Sequence, residues 1–138
     1  MTQLNELPKQ THFAGVQLNA DLHETPHLLE GHDTMPKLFR HRCQQYNSRV
    51  ALRYKDLGIW HAYSWTDYYQ KAELIGQAFT AMGLKRGDVI AILSEDNPEW
   101  FFIDMAAQCM GIIVSGVYTT DAANQLAYLV EDSSSQVL

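Results

Sequence analysis

The five residues Val89-Ile90-Ala91-Ile92-Leu93 are apolar at every position, so a strand built from them has both faces out of water. Strands of that kind sit in parallel sheets covered by helices on each side. The flanking sequence supplies such helices. Asn97 is a good N-cap, Pro98 suits the first helical position and Glu99 the positive end of a helix running to Met110. That helix is apolar nearly all round, with only Asp104 and Gln108 as a narrow wet stripe. Ile112-Ile113-Val114 opens a second buried strand. Thr120 or Asp121 caps a further helix whose inner face carries Ala122, Leu126, Leu129 and Val130, and Gln136-Val137-Leu138 begins a third strand. The order β-α-β-α-β predicts right-handed crossovers and a partial parallel sheet with flanking helices, an α/β fold. An unfinished parallel strand leaves apolar edges bare, so the 138 residues read as an incomplete portion of a larger domain.

Upstream, the periodicity predicts a helix and then a β-hairpin. Thr34 is placed to cap the helix and Pro36 falls in its first turn, with Met35, Leu38, Phe39, Cys43 and Tyr46 on one face. Cys43 therefore reads as a small core hydrophobe. Val50, Leu52 and Tyr54 alternate with polar neighbours, Asp56-Leu57-Gly58 is a turn, and Ile59 to Tyr63 is a second β-prone run. Ser64 caps a long helix with Tyr68, Ala72, Ile75, Phe79 and Met82 along one stripe, ended by Gly83. Residues 1–33, with Pro8, Gly15, Pro26 and Gly31 and no sustained apolar period, read as a flexible polar arm. The domain proper runs over 34–138.

Composition excludes several classes. With 46% apolar and 19% charged residues, wholesale disorder is ruled out. A formal charge of −6 argues against a nucleic-acid partner, which requires a clustered basic face. The longest uncharged apolar stretch, Met105 to Tyr118, is too short and too interrupted for a transmembrane segment. Two cysteines, Cys43 and Cys109, make no disulfide scaffold, which suits a cytoplasmic setting.

Short motifs carry little chemistry. His23-Glu24-Thr25-Pro26-His27 fits the H-E-x-x-H pattern of zinc peptidases, yet Pro26 would break the helical turn that brings both imidazoles to one face. Arg86-Gly87-Asp88 reads as a turn ahead of the buried strand. The loop Ser94-Glu95-Asp96-Asn97 has no glycine, and its two carboxylates would repel a pyrophosphate. Ser133-Ser134-Ser135 lacks the glycines and lysine of a phosphate loop. Trp60, Trp65 and Trp100 read as core anchors. From the residues themselves no catalytic, cofactor-binding or metal-binding set emerges.

From residue 34 onward the chain resembles the N-terminal part of the adenylate-forming (AMP-binding) acyl-CoA synthetases. Thr34-Met35-Pro36-Lys37-Leu38-Phe39 resembles the first helix of that family, and Gly83-Leu84-Lys85-Arg86-Gly87-Asp88-Val89 its turn into the first buried strand. Gly58-Ile59-Trp60-His61-Ala62-Tyr63-Ser64-Trp65 and Ser94-Glu95-Asp96-Asn97-Pro98-Glu99-Trp100 resemble its long-chain fatty acid branch. Gly116-Val117-Tyr118-Thr119-Thr120 and Leu126-Ala127-Tyr128-Leu129-Val130-Glu131-Asp132-Ser133 complete the run; Thr119 stands where the family often has proline.

The resemblance implies a fatty acid–CoA ligase using ATP, Mg and CoA in its full-length form, with a fatty acid substrate and a location peripheral to membranes. It also implies that the family's phosphate loop, adenine-binding segments, hinge and C-terminal domain lie outside these residues. No residue here matches a catalytic motif, so the chain alone is expected to be inactive, with no cofactor of its own. Trp100 and Tyr118 are the residues expected to scaffold an acyl pocket. The alternative expectation is a non-catalytic association module that forms a homo-oligomer or binds a partner through its exposed sheet edge.

Overall fold

The computed structural model of the chain describes residues 10–13, 16–19 and 28–138. They fall into two units, residues 1–33 and 34–138. In the first, β1 (Gln10–Phe13) pairs antiparallel with β2 (Val16–Asn19), two strands too short and mixed in polarity to stand out in the sequence. Beyond them, the backbone groups of Leu29 and His32 exchange hydrogen bonds of 2.9 and 3.0 Å across Glu30 and Gly31, both at positive φ. The H-E-x-x-H match at 23–27 lies outside the described residues.

The second unit begins with α1 (Met35–Tyr46), followed by the hairpin β3 (Val50–Asp56) and β4 (Ile59–Ser64). Thr34 is the N-cap residue, but its side chain makes no capping bond; its carbonyl accepts from the Leu38 amide instead. The helix α2 (Trp65–Ala81) starts in a full capping box. The Ser64 hydroxyl accepts from the Asp67 amide, and the Asp67 carboxylate accepts from the Ser64 amide. Gly83, at φ 84°, closes its far end.

The remaining elements form the parallel sheet: β5 (Val89–Leu93), α3 (Pro98–Met110), β6 (Ile113–Val117), α4 (Ala123–Asp132) and β7 (Ser135–Val137). The strand order is β6-β5-β7, so the most apolar strand lies in the middle, with Ile90, Ala91 and Ile92 buried. Arg86-Gly87-Asp88 makes the turn into it, held by the Lys85 amide on Asp88 Oδ2 at 2.7 Å and the Gly87 amide on the Gly111 carbonyl at 2.9 Å. Helices α1, α2 and α3 share one core in which Phe39 meets Tyr68 edge-on at 4.7 Å and Phe102 lies 5.3 Å from Tyr63 and 5.4 Å from Tyr68.

Several positions depart from expectation. Met35, at the start of α1, and Met82, at the C-cap of α2, lie at the ends of their apolar stripes and are 58% exposed. Val50 is also exposed, at a register irregularity in the hairpin. Trp65 packs in the core against Phe39 and Tyr46, whereas Trp60 points to solvent, 66% exposed. The cap of α4 is Ala122, with no side-chain bond, rather than Thr120 or Asp121; Leu126, Leu129 and Val130 on its inner face are only half-buried.

Candidate functional site

The strand order locates the crevice where an open α/β sheet binds ligands. The chain moves one way from β5 to β6 and the opposite way from β6 to β7, across β5. Right-handed crossovers carry α3 and α4 to opposite faces, and the rule for open α/β sheets then places a ligand crevice at the carboxyl ends of β5 and β6. Ser94 to Asn97 leave β5 at that end and Tyr118 to Thr120 leave β6.

Hydrogen bonds tie the two loops together. Thr119 Oγ1 donates to Glu95 Oε1 at 2.5 Å, a contact between residues 24 apart in sequence. Asn97 organises the other side: its Nδ2 donates to Ser94 Oγ at 2.9 Å and its Oδ1 accepts from the Trp100 amide at 3.1 Å. The first turn of α3 is thus capped internally, and the carboxylates of Glu95 and Asp96 stand beside it. Neither glycine nor lysine is available there to cradle a phosphate.

Trp100 is half-buried over the sheet, its indole lying against Gly116, where a Cβ would meet Cζ2 at 3.8 Å, an ordinary contact distance. Tyr118 belongs to the same end of the sheet, but it is 79% exposed. The crevice therefore offers an aromatic wall and a pinned loop, and it lacks a nucleophile–base pair.

Burial shifts the titratable groups of the helical core. Burial pushes the Cys43 thiol up to about 11, and it raises Cys109, Tyr68 and Asp104 as well. Thiols held neutral are poor nucleophiles, which fits Cys43 as a packing residue. The cavity beside it, about 220 Å³ between α1 and α2 and lined by Arg40, Cys43, Gln44, Thr66 and Tyr69, is small for an organic substrate. Among the described residues no cluster of three or more His, Cys, Asp or Glu side chains is placed to hold a metal ion.

Residues 39–138 match the family model described as "AMP-binding enzyme". The chain is 31% identical over 105 residues to the long-chain-fatty-acid–CoA ligase ACSBG1 of Bos taurus and 30% identical over 105 residues to ACSBG2 of Xenopus laevis. In both cases the match covers 76% of this chain and 14% of the relative, so the chain spans about one-seventh of the length of these relatives. In fold it is similar to a fatty acid AMP ligase from Legionella pneumophila (TM-score 0.69, 16% identity, 74% of this chain and 18% of that one). It is also similar to the N-terminal subdomain of Klebsiella oxytoca NpsA (TM-score 0.68, 17% identity, 75% of this chain and 26% of that one).

Proposed function

The chain belongs to the family of AMP-binding enzymes, and on that premise we propose that it is the N-terminal portion of a long-chain fatty acid–CoA ligase. The observation that carries this reading is the 31% identity over 105 residues with ligases of that name. The proposed overall reaction joins a fatty acid to coenzyme A at the expense of ATP, through an acyl-adenylate and with release of pyrophosphate. Forming the adenylate turns a poor leaving group into a good one and needs cationic groups to stabilise the developing charge.

The described residues do not fit ATP. The loop at the head of α3 carries two carboxylates and no glycine, and its cap is already satisfied by Asn97. No chemical step is assigned to them. Their part is structural: β5, α3 and β6 form one wall of the crevice, with Trp100 and Tyr118 as scaffold for an acyl pocket. ATP, Mg and CoA are held by the longer protein. A domain starting at Thr34 and a cytoplasmic setting belong to the same proposal; among the described residues no helix is long and apolar enough to cross a membrane.

The test is fatty-acid-dependent exchange of pyrophosphate into ATP, measured for this chain and for the gene product isolated from its source cells. Exchange by the isolated product with none by the 138-residue chain supports the reading. Exchange by neither overturns the ligase assignment, and exchange by the short chain overturns the scaffold role.

A second reading, an association module pairing through the sheet edge, draws on the edge strand β7 with the 59% exposed Leu138 after it, and on the other edge strand, β6, where Ile113 is 56% exposed. Light scattering distinguishes it: a concentration-dependent dimer supports it, and a monomer at high concentration counts against it.

A further inference from the structure

We infer that the tip and outer face of the β3–β4 hairpin form a docking surface for a lipid bilayer bearing anionic headgroups. Leu57 sits at the tip with φ 45° and its side chain 94% exposed, followed by Gly58 at φ 85°. Two positive φ values in a two-residue turn suit Asn-Gly or Asp-Gly; a leucine there is strained, and its apolar side chain lies in water. Backbone strain and an exposed aliphatic side chain at one position both oppose folding of this unit, and strain of that kind is retained where it serves a contact. Trp60, 66% exposed, extends the apolar surface from the tip along β4, while Ile59, 64% exposed, flanks the tip on the opposite face.

The strand register sorts the charges. Lys55 lies opposite Trp60 and Arg53 opposite Ala62, so these four residues share one face. The other face turns inward at Leu52 and Tyr63, where Tyr63 meets Phe102. On the outer face Lys55 Nζ stands 5.7 Å from the centroid of the Trp60 ring, and an open depression of about 320 Å³ is lined by Arg53, Trp60 and Ala62 together with His61, which the register assigns to the opposite face. Asp56, the hairpin's one carboxylate, pairs with Ile59 on the opposite face. In a chain of net charge −6, a face with two cations, one indole and no carboxylate is a local reversal of sign.

Those features match the headgroup region of a membrane. Tryptophan prefers that layer, lysine and arginine reach their charges to phosphates while their stems lie along apolar surface, and a protruding aliphatic tip enters the acyl boundary. A convex tip has little area to bury against a flat protein surface, whereas lipid closes around it. The proposal deepens the membrane-peripheral location that the ligase reading implies, and the two fail separately, because vesicle binding reads the hairpin and pyrophosphate exchange reads the chemistry.

The test is co-sedimentation of the chain with phosphatidylcholine vesicles prepared with and without phosphatidylserine. The chain is expected to sediment with the phosphatidylserine vesicles, to bind the neutral ones more weakly, and to be released by salt. Lys55→Gln is expected to weaken binding about fivefold, as loss of one basic residue near an anionic surface does. Leu57→Ser combined with Trp60→Ser is expected to abolish it. All three side chains are exposed, so an unchanged circular dichroism spectrum separates lost docking from lost folding. Tyr128→Ser, at an exposed aromatic on α4, is expected to leave binding intact. Absence of sedimentation, or equal losses in the hairpin and Tyr128 variants, overturns the proposal. So does self-association that vanishes with Trp60→Ser in the absence of vesicle binding, which would assign the face to a second copy.

Discussion

The Tyr68 hydroxyl donates a hydrogen bond to the Phe101 carbonyl oxygen at 3.1 Å, joining the buried face of α2 to the first turns of α3. It fixes the helix that bears Trp100 against the helix launched by the Ser64 capping box. Tyr68→Phe keeps the ring packing on Phe39 and Phe102 and removes only this bond, so urea unfolding is expected to show a loss of about 1 kcal/mol. Burial, first, and the nearby Asp104 raise the phenol above the ordinary tyrosine range. An alkaline absorbance titration is therefore expected to show one tyrosine that ionises only on unfolding.

Two aspartates are expected to give opposite pH dependences. Hydrogen bonds from the Ser64 side chain and backbone lower the Asp67 pKa, so its stabilisation is present above the unfolded-state value and is lost as pH falls through the folded one. Asp67→Asn should lower Tm at neutral pH, with the difference shrinking in acid. Burial raises Asp104, against the bond it accepts from Gln108, so its contribution is full below the unfolded-state pKa and is lost as pH rises through the folded one. Asp104→Asn should raise Tm at neutral pH and change it little in acid.

The two thiols are expected to differ in access. Cys43 is buried and Cys109 exposed at the residue level, though partial burial raises the Cys109 thiol too. At about 11, Cys43 is thiolate in only about one molecule in ten thousand at neutral pH. Iodoacetamide followed by peptide mass spectrometry should find Cys109 alkylated first and Cys43 only after denaturant is added. Equal rates would contradict the packing of α1 on α2.

Gly111 ends α3 in the left-handed region at φ 73°, and a Cβ there would meet the Arg86 side chain at 2.9 Å. Gly111→Ala is expected to cost about 1–2 kcal/mol from the backbone alone, together with displacement of Arg86. Asn97→Ala, at the other end of the same helix, should cost about 1 kcal/mol by leaving the Trp100 amide without its cap. The sites are far apart along the helix, so thermal melts of the double variant should show near-additive losses.

The local signals were legible without coordinates. A five-residue apolar run read as a strand buried on both faces, Asn97-Pro98 and Ser64 read as helix starts, and Gly83 read as a helix end, which it closes at positive φ. Each depends on backbone groups within one turn of the residue concerned, so the residue type suffices. The family resemblance was legible for the same reason, since it rests on caps and turns in a fixed order. Ala122 as the cap of α4 was not, because both expected residues, Thr120 and Asp121, lie ahead of it and its own side chain has nothing to accept with.

Trp60 and Trp65 show where sequence pattern stops. Both lie in β-prone or helix-starting segments of similar composition, yet one reaches solvent and the other the core. Which hairpin face meets α3 is set by contacts many residues away. The same holds for the candidate site. The bond from Thr119 to Glu95 and the fit of Trp100 over Gly116 exist only because β6 lies beside β5 while β7 lies on its other side. Sequence by itself determined the elements, their caps and the family, since those are carried by short-range chemistry. Only the tertiary structure decided the strand order, and with it the crevice, because strand pairing is a competition among distant segments that no local window contains.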